Sequence, residues 1–304
     1  MLLGVFCGLS AAILNSIGYI FSARFMLRYD SALRLFVAAA LVMMCLSLPF
    51  LPFLFPWAQL ANRGEFLVML LIWVASFWCG QGCFFMCLKY FNASCLSSFL
   101  GLKIVVLALI FLFFKHENPG LWQWIAVLLS AGAAVSFNWT GAEIGRPAGW
   151  FFLFVTLLGY STCDIYETKI ILRLMECGCS LTRASLTATA VVYSLLGVVS
   201  LPLLFFLKMT KKQLAYATPY GVLWIGSQIM LFACFALLLP VFGNVILATR
   251  GIFSVLIGAL LAAVGLSRFD SQITRSQWIK RGFAACAMTA AITIYSLAQA
   301  GILK

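Results

Sequence analysis

The run Ala93–Glu117, ASCLSSFLGLKIVVLALIFLFFKHE, decides how the chain is read. A hydrocarbon core about 30 Å thick takes about 20 helical residues to span. This run is apolar for that length, with one lysine, Lys103, set in its middle. A cation at the centre of a spanning helix costs roughly 2.5–3.5 kcal/mol on insertion scales. Either a partner carboxylate or a functional task must offset that cost.

The rest of the chain has the same character. Apolar residues make up 64% of the 304 residues and charged residues 9%, and the mean hydropathy is +1.08. A soluble domain carries about 25% charged residues, so the composition reads as an all-α integral membrane protein. The net charge of +12 excludes nucleic acid once the cations are located. They cluster at span ends, as Arg24, Arg28 and Arg34 or Lys208, Lys211 and Lys212, where loops meet anionic headgroups. Most of the eleven cysteines fall inside apolar runs and read as small hydrophobic residues. Cys79, Cys83 and Cys87 share a helical face, read as a close helix contact rather than a metal site. Whether Cys177 and Cys179 pair is open at this stage.

Ten spans follow in order: Leu2–Phe21, Leu33–Leu54, Phe66–Leu88, the Lys103 run, Leu121–Trp139, Ala148–Leu172, Ser185–Leu207, Tyr220–Leu239, Val241–Leu261 and Trp278–Leu297. No cleavable leader is evident, since the apolar run starts almost at Met1 without a basic region before it. Arg24, Arg28 and Asp30 read as the first loop.

The chain also repeats. Gln81 and Gln228 lie 147 residues apart, and so do Lys103 and Arg250. Gln123-Trp124-Ile125 recurs as Gln277-Trp278-Ile279, 154 residues on. Two halves of five spans, 1–140 and 148–304, account for this, and five being odd, the second half enters the membrane inverted. Counted from the turns at Asn92 and Pro240, Gln81, Lys103, Gln228 and Arg250 each lie about 16 Å deep at 1.5 Å per residue, near the midplane. Inverted-repeat transporters bind substrate at that depth.

These residues resemble the drug/metabolite transporter superfamily in its EamA-like branch, over essentially the whole chain. The best local match runs from Leu88-Lys89-Tyr90 through Lys115-His116-Glu117 to Gln123-Trp124 and Gly132. The resemblance implies two five-span repeats and a non-enzymatic transporter with a small-molecule substrate. One departure matters: EamA-like members commonly place proline where Lys103 stands. Cations in the fourth and ninth spans look more like the phosphate-handling organellar branch, where basic side chains grip an anion.

The site reading follows. Lys103 and Arg250 bind an anionic group of the substrate, and Gln81 and Gln228 hydrogen-bond its uncharged part. Asn15 and Tyr19 in the first span, and Ser161 and Thr162 in the sixth, either line the cavity or bond between helices. Asp164 and Glu167 are candidates for proton coupling or for ion pairing with the deep cations, with Glu167 expected nearer the surface beside Lys169. The aromatic excess, 28 Phe and nine Trp, reads as lipid-facing surface and interfacial belts. No metal site, cofactor or catalytic set is read, and the oligomeric state is not in the sequence.

The expected function is secondary-active transport of a small polar, anionic metabolite by alternating access, in a bacterial inner or plasma membrane. Two alternatives remain: an exporter of amino acids or amphipathic compounds with Lys103 and Arg250 structural, and a non-transporting partner or lipid-handling protein. Loops on the side of the first connection hold twelve Lys and Arg against six on the other. By charge this puts both termini outside the cytoplasm, whereas the resemblance implies cytoplasmic termini.

Overall fold

The structure is a computed structural model, which describes residues 1–57, 63–87, 90–91, 99–115, 120–136, 147–250, 252–253, 256–257, 260, 275–299 and 301–303. The regular structure among them is helical: α1 Leu2–Tyr29, α2 Ala32–Ser47, a 3-10 turn Leu48–Phe50, α3 Leu51–Leu54, α4 Arg63–Cys87, a 3-10 turn Leu100–Leu102, α5 Lys103–Lys115, α6 Leu121–Ser136, α7 Pro147–Glu176, α8 Leu181–Phe206, α9 Lys211–Leu247 and α10 Arg275–Gln299. Seven stretches among the described residues are long and apolar enough to cross a membrane, and Leu100–Phe113 and Leu121–Ala133 are shorter apolar helices. The protein is a multi-pass helical membrane protein. The turn at Asn92, Asn138, the loop 140–146 and most of the loop expected at 265–275 lie outside the described residues.

Helix ends differ from the sequence expectation for identifiable reasons. Arg24 and Arg28 do not form a loop, because nothing before Asp30 stops α1. Asp30 adopts the left-handed conformation, φ 44 and ψ 41, and its N–H bonds the Met26 carbonyl at 2.8 Å. Ser31 then caps α2 by accepting the Arg34 N–H at 3.3 Å. The Pro49 and Pro52 cluster turns the end of the second span into the 3-10 turn and the single turn of α3, since proline cannot donate an interior helical bond. α7 runs on to Glu176, where Gly178 at φ 83 closes it. There Cys179 N–H bonds Leu174 O and Gly178 N–H bonds Met175 O, the paired bonds of a Schellman cap. Cys177 and Cys179 are both free thiols.

The eighth and ninth expected spans meet inside α9 at Leu239, whose non-helical φ 65 and ψ 161 separate two helices. That backbone region is nearly reserved for glycine, and the following Pro240 favours the high ψ. Asn244 donates its side-chain amide to the Pro240 carbonyl at 2.8 Å, which satisfies an acceptor near the break.

Contacts divide the chain into two compact units, Met1–Ala75 with Cys163–Leu237, and Ser76–Thr162 with Leu238–Lys304. Each draws helices from both halves of the sequence. In the first unit, α2 lies against α8 through an alanine-rich face, Ala38, Ala39 and Ala40. A Cβ on Gly197 of α8 would overlap Met44 and meet the Ala40 carbonyl at 2.9 Å. α1 meets α9 where Ser227 donates to Ala11 O at 3.0 Å. In the second unit, α4 and α7 cross at Gly80 and Gly159, and α6 lies along α10. Small residues let membrane helices approach closely enough for dispersion to hold them.

Candidate functional site

Lys103 and Arg250 belong to the same compact unit, the second. Both are half-buried, and both sit where α-helical bonding gives way to tighter turns. The 3-10 turn Leu100–Leu102 leads into Lys103, whose N–H points to the Leu100 and Gly101 carbonyls. Around Arg250, Thr249 N–H bonds Ile246 O at 3.0 Å and Ile252 N–H bonds Thr249 O at 2.9 Å. The Thr249 hydroxyl also donates to Ile246 O at 2.7 Å. Stretches of 3-10 bonding within longer helical runs often mark functional positions.

Packing ties these two segments to one helix end. Leu100 and Leu102 pack on the cluster of Cys87, Phe91, Phe99, Leu153 and Leu157, together with Val135 of α6. Ala248 and Ile252 pack on the cluster of Ala133, Ala284 and Met288. Val135 and Ala133 are two residues apart on α6. The residues flanking each cation are therefore anchored to the last turns of the same helix. At the start of α6, Gly120 donates its N–H to the Gln123 side chain at 2.9 Å, half of a capping box.

Gln81 lies in the same unit and accepts the Tyr160 hydroxyl at 2.7 Å. The bond forms because Gly80 and Gly159 bring α4 and α7 into contact: a Cβ on Gly159 would lie 2.9 Å from Gly80 Cα. Ser161 is fully buried, with no hydrogen-bond partner for its hydroxyl among the described residues. Thr162 donates to Leu158 O at 2.9 Å, within its own helix.

Asn15, Tyr19, Asp164, Glu167 and Gln228 belong to the first unit. Asn15 is 3% exposed, and its side-chain oxygen has no hydrogen-bond partner among the described residues. Its neighbour Ser16 bonds back to Ala12 O at 2.8 Å, and Tyr19 is half-buried. Gln228 and Asp164 are buried.

Glu167 corrects the sequence expectation. It is 4% exposed rather than solvated, and its carboxylate accepts the Trp73 indole N–H at 3.1 Å. α7 extends one turn further than expected, which leaves Glu167 nine residues from the helix end, about 14 Å at 1.5 Å per residue. Lys169 is exposed and lies over the Tyr166 ring at 4.6 Å. Two residues on, it does not share the helical face of Glu167.

The aromatic expectation is corrected at the same place. Trp73 is fully buried and packs edge-to-face on Tyr193, with ring centroids 5.5 Å apart, and the Tyr193 hydroxyl accepts the Trp224 indole N–H at 2.9 Å. Trp73 and Tyr193 are thus interior residues that present polar edges, not lipid-facing ones. Leaving a buried acceptor without its donor costs about 1–3 kcal/mol. Trp73→Phe is accordingly expected to lower thermal stability in detergent by that amount, and a double-mutant cycle with Glu167→Gln should show strong coupling.

Among the described residues no three His, Cys, Asp or Glu side chains gather as metal ligands. Fold and composition define a multi-pass helical membrane protein with charged and amide side chains inside its apolar helices. Residues 2–139 match the sequence model of the EamA-like transporter family, which belongs to the drug/metabolite transporter superfamily. No curated protein matches the chain. A solved crystal structure superposes with a TM-score of 0.64 at 11% identity, covering 99% of this chain and 99% of that one. At that identity the likeness speaks for the fold alone.

Proposed function

We propose that the chain is a secondary-active transporter of a small polar, anionic metabolite, working by alternating access between two inverted five-helix repeats, 1–140 and 148–304. Lys103 and Arg250 hold the anionic group, arginine bidentately and lysine as a point charge. Gln81, Gln228, Asn15, Tyr19, Ser161 and Thr162 supply hydrogen bonds to the remainder. A bacterial inner or plasma membrane is the expected setting. The observation that supports this reading is that Lys103 follows a 3-10 turn and Arg250 follows a two-residue turn, with the residues flanking both packed on the last turns of α6. Such turns expose backbone and side-chain polar groups that regular helix would hide, and that is tolerated at membrane depth only where a cavity or protein receives them.

Asp164 and Glu167 are proposed to couple transport to protons, as intramembrane carboxylates do in pumps and transporters. The same two residues favour one rival reading, an exporter of amino acids or other ammonium-bearing compounds, because buried carboxylates are what an ammonium group requires.

Uptake into proteoliposomes separates these. The proposal expects saturable flux of phosphorylated or carboxylated metabolites, stimulated by an imposed pH gradient and unresponsive to that gradient in Glu167→Gln. Flux of zwitterions or cations with none for anions would replace it with the exporter reading.

A further inference from the structure

We infer that the end of the first unit where α1 closes and α9 opens is a binding surface for anionic phospholipid headgroups. The Arg28 guanidinium lies over the Tyr216 ring at 5.0 Å and near the Tyr29 ring at 5.8 Å. The two tyrosines meet edge-to-face at 5.8 Å. Beneath them, Phe25, Leu35, Ala38 and Ala217 form a buried cluster that also holds Met26, Met209 and Leu214. The last turn of α1 is therefore fixed against the first turns of α9.

Three more cations lie on the turn into α9 and on its first turn. Lys208 adopts the left-handed conformation, φ 46, and turns the chain out of α8. Thr210 and Gln213 then cap α9 reciprocally: Thr210 N–H donates to the Gln213 side chain at 2.9 Å, and Gln213 N–H donates to the Thr210 hydroxyl at 3.3 Å. This capping box fixes Lys211 and Lys212 on the first turn. Lys212 lies four residues before Tyr216, on the same helical face. Arg28, Lys208, Lys211 and Lys212 are all exposed, and Asp30 is the one carboxylate in the segments 24–34 and 206–216.

The apolar surroundings select a lipid rather than a soluble anion. Leu27 is 75% exposed beside Arg28, and Phe205 and Phe206 are 79% and 82% exposed just before Lys208. Large apolar side chains next to cations and tyrosine rings match the boundary between acyl chains and headgroups.

The test is thermal unfolding of the purified full chain in mixed micelles. Phosphatidylglycerol is expected to raise the melting temperature well beyond phosphatidylcholine at equal content, and about 0.5 M salt should weaken the difference, since exposed charges are screened. In R28Q/K208Q/K211Q/K212Q the phosphatidylglycerol shift should vanish while the phosphatidylcholine baseline persists. If that variant does not fold, K211Q/K212Q alone should lose about half of the shift, by the per-cation contribution. The K103Q/R250Q variant should keep all of it. Equal shifts from the two lipids, an undiminished shift in K211Q/K212Q, or an equal shift from soluble glycerol phosphate would each overturn the inference.

Discussion

Replacing Lys103 and Arg250 together with glutamine is expected to abolish saturable anion uptake in proteoliposomes while the protein still folds. Hydrogen bonds to charged groups contribute about 1.5–3 kcal/mol each. Losing two weakens anion binding by about 3–6 kcal/mol, or roughly two to four orders of magnitude. Each single change should leave about a tenth to a hundredth of the affinity on the same scale. Folding is read separately, by size-exclusion profile and helical circular dichroism: lost uptake with intact folding assigns the two cations to the substrate, and retained uptake assigns them to the scaffold.

Gly159→Leu is expected to eliminate folded protein. At the crossing of α4 and α7, even the Cβ of alanine would stand 2.9 Å from Gly80 Cα, 2.9 Å from the Ser76 carbonyl and 3.0 Å from Gly80 N. All three are backbone atoms, which no rotamer change can withdraw. Overpacking costs about 1–3 kcal/mol even where side chains can adjust, so Gly159→Ala should already destabilise by that much and leucine by far more. Gly82, on the same helix as Gly80, is the control: no described atom lies within 4 Å of its would-be Cβ. Gly82→Ala should be neutral or stabilising by about 1 kcal/mol from helix propensity. Size-exclusion profiles and melting curves in detergent read both. The crossing also holds Tyr160 against Gln81, so Gly159→Ala should reduce transport together with stability.

Seven helices long and apolar enough to span stand among the described residues, and they were legible because a bilayer demands long apolar runs. Charge inside such a run stands out, as Lys103 and Arg250 do. The helix ends were less legible. Arg24 and Arg28 look like loop residues by charge, yet arginine is a good helix former and stays helical until Asp30 breaks the backbone. The same error shortened α7 and put Glu167 at the surface. The division at Pro240 was legible from the proline, and the helix breaks at Leu239, the residue before it. Trp73 and Tyr193 could not be found from pattern, because an aromatic at mid-span satisfies lipid and core equally. Only a partner distant in the chain, such as Glu167 for Trp73 or Tyr160 for Gln81, shows which way the side chain is turned. A tryptophan deep in a span that also carries a carboxylate-bearing counterpart would have been the signal to follow.

The central claim is that an anion is held by Lys103 and Arg250, and ligand-induced thermal stabilisation of the purified protein tests it most directly. A ligand specific for the folded state, at a hundred times its dissociation constant, adds about 2.7 kcal/mol. The proposal predicts that phosphorylated or carboxylated metabolites raise the melting temperature of the parent protein and leave K103Q/R250Q unmoved. Stabilisation by zwitterions or amphipathic cations alone, undiminished in K103Q/R250Q, would contradict it and assign the two cations to the scaffold.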